Sequence, residues 1–162
     1  MVIAIFGRSS VGKSAVATIL GAHLGVPVRH CGESVKEYAR QHNRSASELA
    51  NADHRIIDDA TRRIAATTDR LIIEGTFLDS VLTEVPGVIL VRLLCSETER
   101  QLRFAGRGSG GDDAFRARDA DDDMLRTRLY VESRNSPTPI DIDTSGLTAD
   151  DVAHRIIEAC NP

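Results

Sequence analysis

At 162 residues, with 41% hydrophobic and 27% charged side chains, the chain is long enough for one domain around a real core and has an ordinary globular composition. A formal net charge of −4 excludes the basic excess of a nucleic-acid binder, and no apolar run approaches the roughly 20 residues that span a bilayer. The first residues carry a strand pattern rather than a basic, cleavable leader, so a cytoplasmic location is expected, with no membrane partner and no nucleic-acid partner.

The first strand pattern covers 2–6 and runs straight into Gly7-Arg8-Ser9-Ser10-Val11-Gly12-Lys13-Ser14, which fits G-x-x-x-x-G-K-[ST] at every fixed position. An apolar-faced helix pattern at about 13–24 follows, so the glycine-rich segment has the strand-then-helix context that a phosphate-binding loop needs. Backbone N–H groups of such a loop wrap a polyphosphate, Lys13 reaches its β- and γ-phosphates, and Ser14 offers a hydroxyl to Mg²⁺. Further strand candidates lie at 26–30, 70–74, 88–94 and 139–143, and helix candidates at about 33–42, 46–67, 96–107, 116–134 and 148–160. Ser45-x-x-Glu48 and Thr148-x-x-Asp151 mark two helix starts as capping boxes. Strands alternating with helices imply a parallel sheet covered on both faces, with ligands bound beyond the carboxyl ends of the strands. That rule puts Gly7, Cys31, Glu74 and the segment after Leu94 on one rim.

Only Lys13 and Lys36 are lysines; every other basic residue is arginine. Arg100, Arg103 and Arg107 step by three and four and share a helix face, and Arg116, Arg118, Arg126 and Arg128 follow beyond the glycine-rich stretch 106–113. Arginine forks bind phosphate oxygens bidentately, so the set flanking a flexible stretch points to a lid that closes on nucleotide. Most of the acidic run Asp119, Asp121, Asp122 and Asp123 reads as a solvated, charge-balancing face, with one or two members left for sugar hydroxyls or an arginine. Glu74 ends a strand beside the loop and can hold the outer shell of Mg²⁺. Gly32 and Lys36 open a helix at the rim, where an acceptor anion could sit. Cys31, Cys95 and Cys160 form no C-x-x-C pair, and Cys31 reads as a plain buried thiol.

With these pieces placed, the chain resembles the nucleoside monophosphate kinases, and within them the short cytidylate kinases. The likeness comprises the phosphate loop, G-E-x-V-K at 32–36, the helix 53–66, I-I-E-G at 72–75, R-x-x-x-R at 103–107, R-x-R-D at 116–119 and I-D-T-S at 142–145. It implies a P-loop kinase fold: an α/β domain with a five-stranded parallel sheet, helices on both faces and a small arginine-rich lid. In that scheme the core is 1–105 and 136–162, the acceptor-binding helices are about 32–67, and the lid is about 106–135. The resemblance implies that Arg103 stacks near the donor base, with Ser145 and Gly146 lining the adenine. Arg107 would touch donor phosphates, and Arg118 and Arg128 would bridge donor and acceptor phosphates. Asp122 would hold the acceptor sugar, and Asp58 would read its base.

Two departures stand out: lysine at 36 and threonine at 76, after Gly75, where that family carries arginines for the acceptor phosphate. The leading expectation is transfer of the γ-phosphoryl group of ATP, with Mg²⁺, to a nucleoside monophosphate such as CMP or dCMP. The alternative is a small-molecule kinase acting on a hydroxyl, like shikimate, gluconate or antibiotic phosphotransferases, with Asp58, Glu74 or Asp79 as base. A non-catalytic nucleotide switch is disfavoured, because N-K-x-D is absent and the D-x-x-G match at 143–146 follows the last strand. Either a monomer or a dimer suits these readings.

Overall fold

The computed structural model describes residues 1–130 and 137–160. Five parallel strands form one sheet in the order β2-β3-β1-β4-β5: β1 Val2–Phe6, β2 Val28–His30, β3 Leu71–Gly75, β4 Val88–Leu94 and β5 Ile140–Asp143. The helices are α1 Lys13–Leu24, α2 Cys31–Gln41, α3 Asn51–Thr67, a short α4 Leu78–Val81, α5 Glu97–Gly106, α6 Asp112–Leu129 and α7 Ala149–Cys160. No helix among the described residues is long and apolar enough to cross a membrane.

Strand alternation divides the core into two layers. On β1, Ile3 and Ile5 face Val16, Leu20, Val152 and Ile156 of α1 and α7. Val2, Ala4 and Phe6 face the other way, towards Ala65, Leu78, Val81 and Leu82 of α3 and its successor. All five β1 residues are buried because the strand sits at the sheet centre, covered on both sides. A smaller cluster of Ala39, Leu49 and Ile57 ties α2 to α3.

Several boundaries differ from the sequence pattern, each for a local reason. The expected strand 26–30 starts at Val28, since Pro27 has no N–H for the ladder and contributes only its carbonyl, which accepts from Ile72. The expected helix 46–67 is broken: a 3₁₀ turn Ala46–Glu48 is capped by Ser45 and Glu48, then Leu49 and Ala50 turn extended. Burial of Leu49 (4% exposed) and capping of the Ala50 N–H by Asp53 restart the chain as α3. The helix expected at 116–134 starts earlier, at Asp112, with Asp112 and Asp113 favourable in its first turn. It ends at Leu129, before an extended Tyr130, and the rest of the expected span, 131–134, lies outside the described residues. α5 and α6 pack through Phe104 against Phe115 at 5.7 Å, with the Arg100 guanidinium 5.1 Å above the Phe115 ring.

Candidate functional site

The loop between β1 and α1 folds back under constraints that only its sequence meets. Gly7 has φ +147°, and a Cβ there would lie 2.4 Å from the Leu93 carbonyl oxygen of the neighbouring strand. Gly12 has φ +99° at the N-cap of α1, a conformation that disfavours any residue with a side chain. Lys13 opens α1 and folds its ammonium back to donate to the Gly7 and Arg8 carbonyls at 2.9 and 2.8 Å. Burial pulls its pKa down to about 8, against the partial support of Glu74 and Asp122. A cation held inside a ring of backbone groups at a helix N-terminus is built to receive a polyphosphate.

Ser14 donates from Oγ to Glu74 Oε1 at 3.1 Å, and His30 Nδ1 meets the same oxygen at 3.0 Å. Glu74 is brought there by β3, whose register pairs it with Ile5 of β1 and His30 of β2. Its side chain is only 8% exposed, whereas that of His30 is 33% exposed. Hard oxygen donors from a hydroxyl and a carboxylate at this distance fit Mg²⁺, which takes one or two protein oxygens beside phosphate and water.

The arginines and acids of α5 and α6 converge on the same loop. Arg100 donates to both oxygens of Asp119 at 2.7 and 2.6 Å and to the Ser9 carbonyl at 3.2 Å. Arg8 donates to Asp119 at 3.1 Å and to Asp123 at 2.7 Å. Ser9 Oγ donates to Asp122 at 2.7 Å and accepts from Arg118 at 3.1 Å. Arg107 donates to Ser10 Oγ. Within the acidic run Asp121 and Asp123 are exposed, while Asp122 is buried and Asp119 is held well below the usual carboxylate range by Arg100. Arg100 is likewise committed to an internal pair rather than free to clamp phosphate.

Arg103 is placed on the far side of the loop, donating to the Thr144 carbonyl at 2.7 Å, Thr144 Oγ1 at 3.0 Å and the Val11 carbonyl at 3.2 Å. Ser145 and Gly146 lie beside it, held by the Ser96 N–H donating to Ser145 Oγ and by the Gly146 N–H donating to Glu99.

On α3, Asp58 accepts from Tyr130 at 3.0 Å and is pushed up by burial. His54 is pushed down by burial, within the field of Asp58 and Arg128. Asp79 is taken by a two-pronged pair with Arg126 at 3.0 and 3.1 Å, which removes it as a free base. Lys36 points to solvent and pairs with Glu33 at 2.7 Å, so the structure does not bring it to the loop. Thr76 lines a cavity of about 390 Å³ with Gly7, Arg8, Asp122 and Arg126. His30 belongs to no motif in the sequence; its signal there is that of a polar residue ending a rim strand directly before a helix. Cys31 opens α2, and burial and Glu74 push its thiol up to about 12. At about pH 8 only roughly one Cys31 in ten thousand is thiolate, so native maleimide labelling should leave it unmodified until the chain is unfolded. Peptide mass spectrometry checks this, and rapid native labelling of Cys31 would contradict it.

The family model described as AAA domain matches residues 3–123. The chain belongs to that family. No curated protein sequence matches it. Among solved structures it is similar to shikimate kinase from Acinetobacter baumannii in complex with shikimate, at 16% identity and TM-score 0.67, covering 98% of this chain and 92% of that one. It is also similar to a gluconokinase from Sinorhizobium meliloti 1021, at 15% identity and TM-score 0.64, covering 98% and 94%. A third likeness is to the tunicamycin resistance protein of Deinococcus radiodurans, at 20% identity and TM-score 0.69, covering 99% and 95%. At these identities the likeness establishes the P-loop kinase fold, with its five-stranded parallel sheet, and not the cytidylate branch within it.

Proposed function

We propose that this chain transfers the γ-phosphoryl group of ATP to a hydroxyl of a small molecule. The observation that carries this reading is the His30–Glu74 pair at the sheet rim. A hydroxyl, unlike a phosphate, must lose a proton as it attacks, and a carboxylate-held imidazole is suited to accept it. Glu74 accepting from Nδ1–H fixes the tautomer that leaves Nε2 as the basic atom, and among the described residues Nε2 has no partner. The acceptor proton passes to Nε2, the acceptor oxygen bonds the γ-phosphorus, and the bond to the β,γ-bridging oxygen breaks to release ADP.

The P-loop N–H groups and Lys13 hold the donor phosphates in this reading, with Arg107 and Arg118 moving from Ser10 and Ser9 onto the transferring group. Arg103, Ser145 and Gly146 line the nucleoside end. Ser14, with Glu74 behind it, would hold Mg²⁺, which neutralises charge on the phosphates when bound. Asp122, Arg128, Asp58, Gly75 and Thr76 border the acceptor. The segment around α6 acts as the lid. Support for a hydroxyl over a nucleoside monophosphate comes from Lys36, which is turned to solvent, and from the fold's likeness to shikimate kinase and gluconokinase.

The test is ADP release from the full chain with ATP and Mg²⁺, across unphosphorylated polyols, cyclitols and amino sugars beside CMP and dCMP. We expect stimulation by one of the alcohols, and His30→Gln to lower kcat with that alcohol about 100-fold while leaving the KM for ATP near wild type. Stimulation confined to a nucleoside monophosphate would overturn the hydroxyl reading and restore the acceptor that the sequence resemblance implies.

A further inference from the structure

Away from the P-loop, His23 in the last turn of α1 and Asp150 and His154 in the first turns of α7 form a cluster the kinase reading does not use. His23 lies about 15 Å along α1 from Lys13. Its Nε2 is 3.2 Å from Asp150 Oδ1, and His154 Nδ1 is 3.4 Å from Asp150 Oδ2. The two imidazoles meet edge to face at 4.8 Å, and one donor atom from each of the three residues lies within 4.8 Å of the others.

The geometry points to a surface binding site for a divalent transition-metal ion of the Zn²⁺ class, held by His23, Asp150 and His154. A tetrahedral ion with bonds of about 2.0–2.1 Å sets its ligand atoms about 3.3 Å apart, and the 3.2 Å from His23 Nε2 to Asp150 Oδ1 matches that edge, while His154 meets the other carboxylate oxygen, Oδ2, at 3.4 Å. Two imidazoles and one carboxylate are borderline donors that select Zn²⁺, Cu²⁺ or Ni²⁺ over Mg²⁺ or Ca²⁺. Side-chain exposures of 33%, 57% and 58% leave the site open for an ion to enter and for water to fill its remaining position. His154 Nδ1 also contacts the Asp150 carbonyl at 2.9 Å. The exposed ring gives up that bond as it turns toward the ion bound by His23 and Asp150. The ion then cross-links the C-terminal turn of the P-loop helix to α7.

The experiment is calorimetric titration of the full chain with ZnCl₂, paired with thermal melts, for wild type, His23→Gln, His154→Gln and a variant with all three cysteines changed to serine. We expect one ion bound per wild-type chain with a raised Tm, and the same in the cysteine variant. Affinity should fall at least tenfold in each histidine variant, with the metal-free Tm of the exposed-site variants close to wild type. Unchanged zinc binding in either histidine variant would overturn the site, as would loss of binding in the cysteine variant. No binding to wild type would overturn it too, leaving these contacts as hydrogen bonds between α1 and α7.

Discussion

Lys13→Met is expected to lower phosphoryl transfer by about 10²–10³-fold without unfolding the chain, because it removes one preorganised donor from the transferring phosphates. The same change should alter stability in a pH-dependent way in the absence of nucleotide and Mg²⁺. The Lys13 pKa is about 8 in the folded loop against 10.5 for the free side chain. Between those values the unfolded chain holds a proton that the folded chain has released, so this residue makes stability rise with pH across that window. Below about pH 8 both states hold the proton, and the folded state bears the full desolvation penalty of the ammonium. The methionine has no such proton, so its stability curve should lack the alkaline rise while matching or exceeding wild type at pH 7. Denaturant titrations at pH 7 and 10 check this. A Met variant that is much less stable at pH 7, or keeps the rise, would show that the ammonium is not penalised in the loop.

The sequence was most legible where backbone geometry and residue type are tightly coupled. The P-loop needs a glycine under the Leu93 carbonyl and another at the α1 N-cap, and those demands leave a readable string between a strand and a helix. The central strands β1 and β3 were legible for a related reason: each is a short run buried on both faces, whereas β2 is only half-buried and β5 alternates isoleucine with exposed aspartate. Short-range competition was less legible. Nothing in the pattern of 46–67 reveals that burying Leu49 breaks the helix, or that the four residues of α4 turn helical after β3. The rim formed by β2 and β3 was least legible, because it depends on tertiary register. His30 and Glu74 are 44 positions apart and meet only because β2 and β3 pair in parallel. Arg100 and Asp119 are 19 apart, and the burial of their pair depends on two phenylalanines that bring α5 against α6. An acidic run beside arginines has the same sequence whether it is solvated or folded into a network, and only packing decides between them.

Asp119→Ala should destabilise the chain by about 3 kcal/mol, at the lower end of the cost of breaking a buried ion pair. Arg100 is 5% exposed and Asp119 15%, so removing the carboxylate strands a guanidinium that water barely reaches. Arg8 loses one partner in the same step but keeps Asp123. The charge argument has a sharper consequence in the double variant Arg100→Met, Asp119→Leu. With both charges gone, nothing buried is left unpaired, and apolar side chains of similar length can pack beside Phe115. The double variant should therefore recover most of the loss, a coupling of about 2 kcal/mol in a double-mutant cycle. Asp119 also ties stability to pH: its carboxyl is depressed by Arg100, so its contribution is complete above the ordinary value of 3.8 and is lost as pH falls through the lower folded value. Asp119→Ala should flatten that acid limb. Urea melts of the four members of the cycle, at neutral and at acid pH, make the comparison. A double variant as unstable as Asp119→Ala would mean that the hydrogen bonds from Arg100 to Ser9 and from Arg8 to Asp119, rather than the stranded charge, hold α5 and α6 against the phosphate loop.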